Sequence, residues 1–163
     1  MKAALRTLIV EGTPEAAMKD TLERLRTILE TVPPRLRAIP EAQSVRRPAA
    51  DKWSRKEILG HLVDSASNNH QRFVRAQLVE ELHFPPYEQE GWVTVQRYRD
   101  EPWETIVELW RAYNRHLLHV MAAVPEARYS RRCHSGGSEP VTLRDHMADY
   151  VRHLDHHLGQ ILD

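Results

Sequence analysis

His153-Leu154-Asp155-His156-His157-Leu158-Gly159-Gln160, at the C-terminal end of this 163-residue chain, is the stretch on which the fold turns. Read as helix, it stacks His153 and His157 on one face, roughly 6 Å apart along the axis. Two neutral imidazoles at that spacing can hold one divalent cation, as in other helical two-histidine sites. The chain has ten histidines, and three of them fall within these eight residues, so a third ligand has to be sought elsewhere.

Working outward, this stretch closes a helix that opens at Thr142-Leu143-Arg144-Asp145, a start resembling a capping box, and runs to the end of the chain. Three more helices precede it. The first starts at Thr13-Pro14, carries Met18, Leu22, Leu25 and Leu29 at three-to-four spacing, and is ended by Pro33-Pro34. The second opens at the capping box Ser54-Arg55-Lys56-Glu57 and continues to about Leu82, before Pro85-Pro86. The third begins near Asp100-Glu101-Pro102-Trp103, carries Ile106, Val107, Trp110, Tyr113, Leu117 and Val120, and closes at Pro125. Nothing reads as a strand; Arg128 to Arg132 is irregular, and Pro40 to Ala50 is a polar connection. Four amphipathic helices predict an all-α four-helix bundle in one domain spanning residues 1–163, and the long connections allow crossovers.

Composition narrows the function. Lys plus Arg and Asp plus Glu both number 23, with no basic block, which argues against nucleic-acid binding. The single Cys133 excludes an internal disulfide and fits a reducing compartment. Met1 to Val10 lacks a small-residue cleavage site and its apolar run stops at Glu11, so it does not read as a signal peptide. No stretch approaches the roughly 20 apolar residues of a membrane span, and a cytoplasmic protein is expected.

The best third ligand is His61 in the second helix. It heads a polar stripe of His61, Asp64, Ser65, Asn68 and Arg72 beside the apolar Ile58, Leu62, Phe73 and Ala76. Polar groups bordering a buried face are costly unless something satisfies them. Three histidines with a free fourth position match open catalytic metal sites. Each member taken singly has a plainer explanation: a lone helix histidine is usually solvated, and histidines near a helix C-terminus favour the dipole without any metal. His156 can replace either helix-four ligand, whereas His146, about 10 Å before His153, is too far to share an ion and can line the cleft. His70, His83, His116 and His119 read as surface or packing residues, and His134 as part of a glycine-rich loop that either covers the mouth of the bundle or is an exposed turn. The four tryptophans read as core or helix-end anchors that can also wall a pocket. Cys133 is a weak nucleophile candidate, with Arg131, Arg132 and His134 near enough in sequence to lower its pKa.

Trp53-Ser54 through Gly60-His61-Leu62-Val63-Asp64-Ser65, Asn68 to Arg72-Phe73, and Tyr150-Val151-Arg152-His153 through His156-His157-Leu158-Gly159-Gln160-Ile161 resemble the DinB/YfiT-like superfamily of metal-dependent enzymes. The resemblance implies a bundle in up-down-down-up order and, carried over by position, the metal ligands His61, His153 and His157. It also implies metal-dependent hydrolysis, or transfer or isomerisation with a low-molecular-weight thiol such as bacillithiol or mycothiol, and often a homodimer. Imidazole ligands suit zinc or nickel. Asp64 is a candidate to orient His61 or act as base, Gln160 to hydrogen-bond a ligand histidine, and Arg72 to bind a substrate carboxylate. Asp64 and Arg72 can equally form a structural pair. The rival to a small-molecule hydrolase or thiol S-transferase is a non-enzymatic metal-binding or dimeric interaction module, in which protein ligands fill all four positions.

Overall fold

Local signals set the helix starts. Thr13 Oγ1 accepts from the Ala16 amide, with Pro14 next in line, and launches α1 (Pro14–Arg37). The Ser54–Glu57 capping box is complete: the Glu57 amide donates to Ser54 Oγ at 3.3 Å and the Ser54 amide to Glu57 Oε2 at 2.8 Å, opening α3 (Arg55–Ala76). Thr142 Oγ1 accepts from the Asp145 amide and opens α6 (Leu143–Leu162). The remaining helices are α5 (Trp103–Ala122) and two short ones, α2 (Glu41–Ser44) and α4 (Gln89–Gln96). The structure is a computed structural model that describes residues 13–136 and 139–163; the reading of Met1 to Val10, and Gly137-Ser138 of the loop before α6, lie outside the described residues.

The four long helices pack in the cyclic order α1, α5, α3, α6. Named contacts give their directions. Trp103 Nε1 donates to the Leu36 carbonyl at 2.8 Å, so the end of α1 meets the start of α5 and the two are antiparallel. Lys56, almost fully buried, donates to the Glu101 carbonyl and pairs with Glu41, whose other oxygen accepts from the Trp103 amide; the starts of α3 and α5 therefore lie together and these helices are parallel. Arg55 at the start of α3 donates to the Ile161 carbonyl near the end of α6, while Phe73 and Tyr150 pack edge-on at 5.8 Å, so α3 and α6 are antiparallel. Arg24 pairs with Asp155, and Pro14 and Thr142 line one surface cleft, so α1 and α6 are parallel. The order is up, down, down, up. Successive helices α1 and α3, and α5 and α6, are antiparallel across the diagonals, whereas α3 and α5 are parallel neighbours, so the connection between them, residues 77–102, returns the length of the bundle. No helix among the described residues is long and apolar enough to cross a membrane.

Several expected boundaries move. Pro33 and Pro34 do not end α1, which runs on to Arg37. Each forfeits the amide bond its position would make to the carbonyl four residues before it, and burial of Val32 and Leu36 with the Trp103 bond to Leu36 outweighs the loss. The second helix stops at Ala76 rather than near Leu82. Leu82 is buried instead in a strand, β1 (Glu81–His83), which pairs in parallel with β2 (Arg132–His134); β2 pairs antiparallel with β3 (Val141–Thr142). The absence of strands expected from the sequence is thus corrected by a three-stranded sheet that ties the exit of α3 to the entry of α6.

Gly60, next to His61, is fixed by close packing. A Cβ there would stand 2.2–2.6 Å from carbons of the Tyr98 ring. Gly60→Ala is expected to destabilise by about 1–3 kcal/mol through overpacking. Gly159→Ala, where the nearest atom is 3.8 Å from the added Cβ, is expected to stabilise by up to about 1 kcal/mol through helix propensity. Denaturant midpoints of the two variants check this; equal effects would contradict the packing at Gly60.

Candidate metal centre

Antiparallel packing of α3 against α6 sets the first third of one helix beside the last half of the other. His61, fully buried, meets the half-buried His153 and His157 there. The Nε2 atoms of His61 and His153 face each other at 3.2 Å, and ring centroids lie 5.1 Å (61 to 153), 5.0 Å (61 to 157) and 4.5 Å (153 to 157) apart. One ring nitrogen from each falls within 4.8 Å of the others. A tetrahedral ion with bonds of ~2.0–2.1 Å to imidazole holds its ligands roughly 3.4 Å apart, so the cluster has the dimensions of such a site.

The electrostatics agree. Burial, then the neighbouring His153 and His157, push the pKa of His61 down to about 4. His153 falls to about 4 through burial and His157, and His157 is lowered chiefly by burial. All three are neutral at pH 7, with lone pairs available to a cation and nothing gained by protonation. Gln160, on the exposed side, accepts from His157 Nδ1 at 2.8 Å, which leaves the lone pair on Nε2. Its amide nitrogen donates to His156 Nε2 at 3.3 Å, so exposed His156 is tied to the same side chain. Trp53 lies against His61 with centroids 5.3 Å apart, so this helix-end tryptophan walls the site.

Asp64 is buried, but its Oδ1 accepts from Tyr98 and Gln96, both at 2.7 Å, and no hydrogen bond joins it to His61. Burial raises its pKa against those two donors. Nor does it pair with Arg72 among the described residues, because eight residues of helix separate them by roughly 12 Å. Arg72 is 9% exposed, with its guanidinium 5.1 Å from the Phe84 ring centroid. It shares a cleft of about 170 Å³ with Tyr87, His146, Asp149 and His153. A second, more apolar cleft of about 530 Å³, walled by Trp53 and Ile58, reaches His157 and Gln160. The histidine cluster therefore sits between two clefts.

The remaining histidines divide. His70 packs edge-on against Tyr113 and His116 between α3 and α5, a packing role. His83 and His134, read as unrelated, stack at 4.2 Å because the parallel register of β1 and β2 sets them side by side, and Glu81 joins them within 4.8 Å. His134 belongs to a strand, not an exposed turn. Cys133 is buried and its pKa is pushed up to about 11, so the lowered value suggested by its basic sequence neighbours is not found.

A bundle of four long helices running up, down, down, up, with histidines of the second and fourth converging at its centre, defines a known class of protein. The chain belongs to the DinB superfamily, whose profile matches residues 20–161. It is 22% identical over 154 residues, 91% of this chain and 86% of the relative, to the Bacillus subtilis (strain 168) protein named "Putative metal-dependent hydrolase YfiT". It is 24% identical over 156 residues, 93% of this chain and 89% of the relative, to a Bacillus pumilus (strain SAFR-032) protein named "Putative metal-dependent hydrolase". The solved structure of YfiT from Bacillus subtilis, described as an unusual four-helix bundle, superposes with a TM-score of 0.74 at 18% identity, covering 98% of this chain and 90% of that one. A mycothiol-dependent maleylpyruvate isomerase superposes with a TM-score of 0.73 at 13% identity over 88% of this chain and 60% of that one.

His146 gives the site a pH signature. Burial, then the Arg72 cation, lower its pKa from 6.5 to about 4, with Asp149 opposing. The unfolded chain takes up this proton first on acidification, so the stability contribution is complete above pH 6.5 and is lost as the pH falls toward 4. Unfolding midpoints of metal-free protein are expected to drop across that window, to which His61 and His153 contribute in the same sense, and His146→Phe is expected to reduce the slope by its share. An unchanged slope in the variant would contradict the assignment.

Proposed function

We propose that the chain is a divalent-metal-dependent enzyme acting on a small molecule, with His61, His153 and His157 holding a zinc or nickel ion. The observation that carries this reading is the convergence of three neutral imidazoles with no fourth protein donor in the cluster among the described residues. A structural zinc site fills four positions from the protein, whereas a catalytic one leaves one open. When bound, the ion supplies Lewis acidity, lowering the pKa of a water or thiol and polarising the bond to be broken.

The chain's own residues do the positioning. Gln160 fixes the tautomer and ring angle of His157, and Trp53 excludes water from one side of His61. Asp64 is assigned a positioning role: it ties the end of α4 at Gln96 and the following Tyr98 to α3 beside Gly60 and braces the turn that presents His61.

Hydrolysis is the first reading, in keeping with the names of the two bacillary relatives. Transfer to or from a low-molecular-weight thiol such as bacillithiol or mycothiol is the second. It is favoured by the two clefts that meet at the cluster, which give room for two reactants, and by the likeness to the mycothiol-dependent isomerase.

Purified protein is expected to carry close to one transition-metal ion per chain, by elemental analysis, and His61→Ala and His153→Ala to lose it. Gln160→Leu is expected to bind the ion roughly 10–100-fold more weakly without losing the fold. Full metal content in both alanine variants would overturn the site. Metal-loaded protein is then offered ester and amide panels, and separately an electrophile with bacillithiol, mycothiol or glutathione. Thiol-independent turnover supports hydrolysis and thiol-dependent turnover supports transfer; no turnover in either arm leaves the non-enzymatic metal-binding module.

A further inference from the structure

The cleft on the His153 side contains a cation with no counter-ion. Arg72 is nine-tenths buried, its Nε has no hydrogen-bond partner, and no carboxylate of the described residues lies within ion-pair distance. His146, equally buried and lining the same cleft, also leaves its Nε2 without a partner. An unpaired guanidinium in such surroundings costs several kcal/mol, about the penalty of any buried ion, and two orphaned polar atoms on residues that line one cleft compound it. Nothing in the packing requires the charge: Phe73 and Phe84 would accept an apolar side chain there.

We infer that this cleft is a carboxylate subsite, in which Arg72 and His146 hold the anionic end of a compact organic acid whose reacting group extends toward His153. This rests on the metal-centre reading for the reacting end and deepens it by naming the substrate class. The guanidinium fork matches a carboxylate with two parallel hydrogen bonds. One cation neutralises one monocarboxylate, whereas a phosphate dianion would keep a buried charge. The cavity volume of about 170 Å³ is close to the ~150 Å³ that accommodates a benzene ring in a protein interior, so the acid is small. His146 stands about 10 Å before His153 on α6, within the span of such a molecule and a long arginine side chain.

The test uses benzoate, benzamide and inorganic phosphate in calorimetric titrations of metal-loaded wild type, Arg72→Met and Arg72→Lys, repeated after chelation. Benzoate is expected to bind wild type at least about tenfold more tightly than the neutral amide or phosphate, the energy of one charge-assisted hydrogen bond. Arg72→Met is expected to lose that preference while keeping its metal content, and Arg72→Lys to keep part of it. Without benzoate, Arg72→Met is expected to melt no lower than wild type, because an unpaired buried charge has gone. Equal benzoate affinity in Arg72→Met, equal affinity for benzamide, a preference for phosphate, or a large drop in melting temperature would each overturn the subsite. Arg72-dependent benzoate binding in a chain that fails to take up metal would leave the subsite standing and remove the metal reading; metal uptake without benzoate binding would do the reverse.

Discussion

The structure depends on how a buried row of polar side chains along α3 is answered. His61, Asp64, Ser65, Asn68 and Arg72 all lie inside the bundle, where each donor or acceptor left without a partner costs free energy. Part of the row is satisfied by the protein: Asn68 donates to the Asp64 carbonyl, Asn69 to the Ser65 carbonyl, and Asp64 Oδ1 accepts from Tyr98 and Gln96. The rest is not: His61 Nδ1, Asp64 Oδ2 and Arg72 Nε are buried without a partner among the described residues. At one end of the row His61 turns its Nε2 to His153, and at the other Arg72 adjoins a cleft shared with His146, so local stability is given up where ligands are to be held.

Topology makes this possible. With α3 antiparallel to α6 and parallel to α5, the start of α3 faces the end of α6, and two histidines four residues apart reach one buried histidine. The buried Lys56, clamped between Glu41 and the loop before α5, pins the start of α3, so His61 projects from a fixed turn rather than a fraying end. Gly60 adds a second constraint by letting Tyr98 pack directly on that turn. Rigid support of this kind is what a metal-binding cluster requires of its scaffold.

Much of this was legible in the sequence. The long helices announced themselves through capping residues and apolar spacing, and the ligand candidates through i, i+4 histidines and a polar stripe, since both are local patterns of one helix. What was illegible was set by partners distant in the chain. Three-residue strands are too short to show alternation, so Leu82 read as helix and His134 as turn until β1 and β2 paired. Pro33 and Pro34 read as a stop because the burial that carries α1 past them comes from Trp103, far along the chain. Asp64 and Arg72 share a stripe, yet eight residues of helix keep them apart; Asp64 turns to Tyr98 and Arg72 lies over Phe84, partners that neighbouring segments supply.

The most direct measurement is X-ray absorption at the metal edge of the zinc-loaded chain, which counts the ligands and identifies the donor atoms. Three imidazole nitrogens and one further light atom not supplied by the protein are expected, falling to two imidazoles in His61→Ala if any zinc remains. A sulfur donor, four protein ligands, or an imidazole count unchanged by loss of His61 would contradict the account.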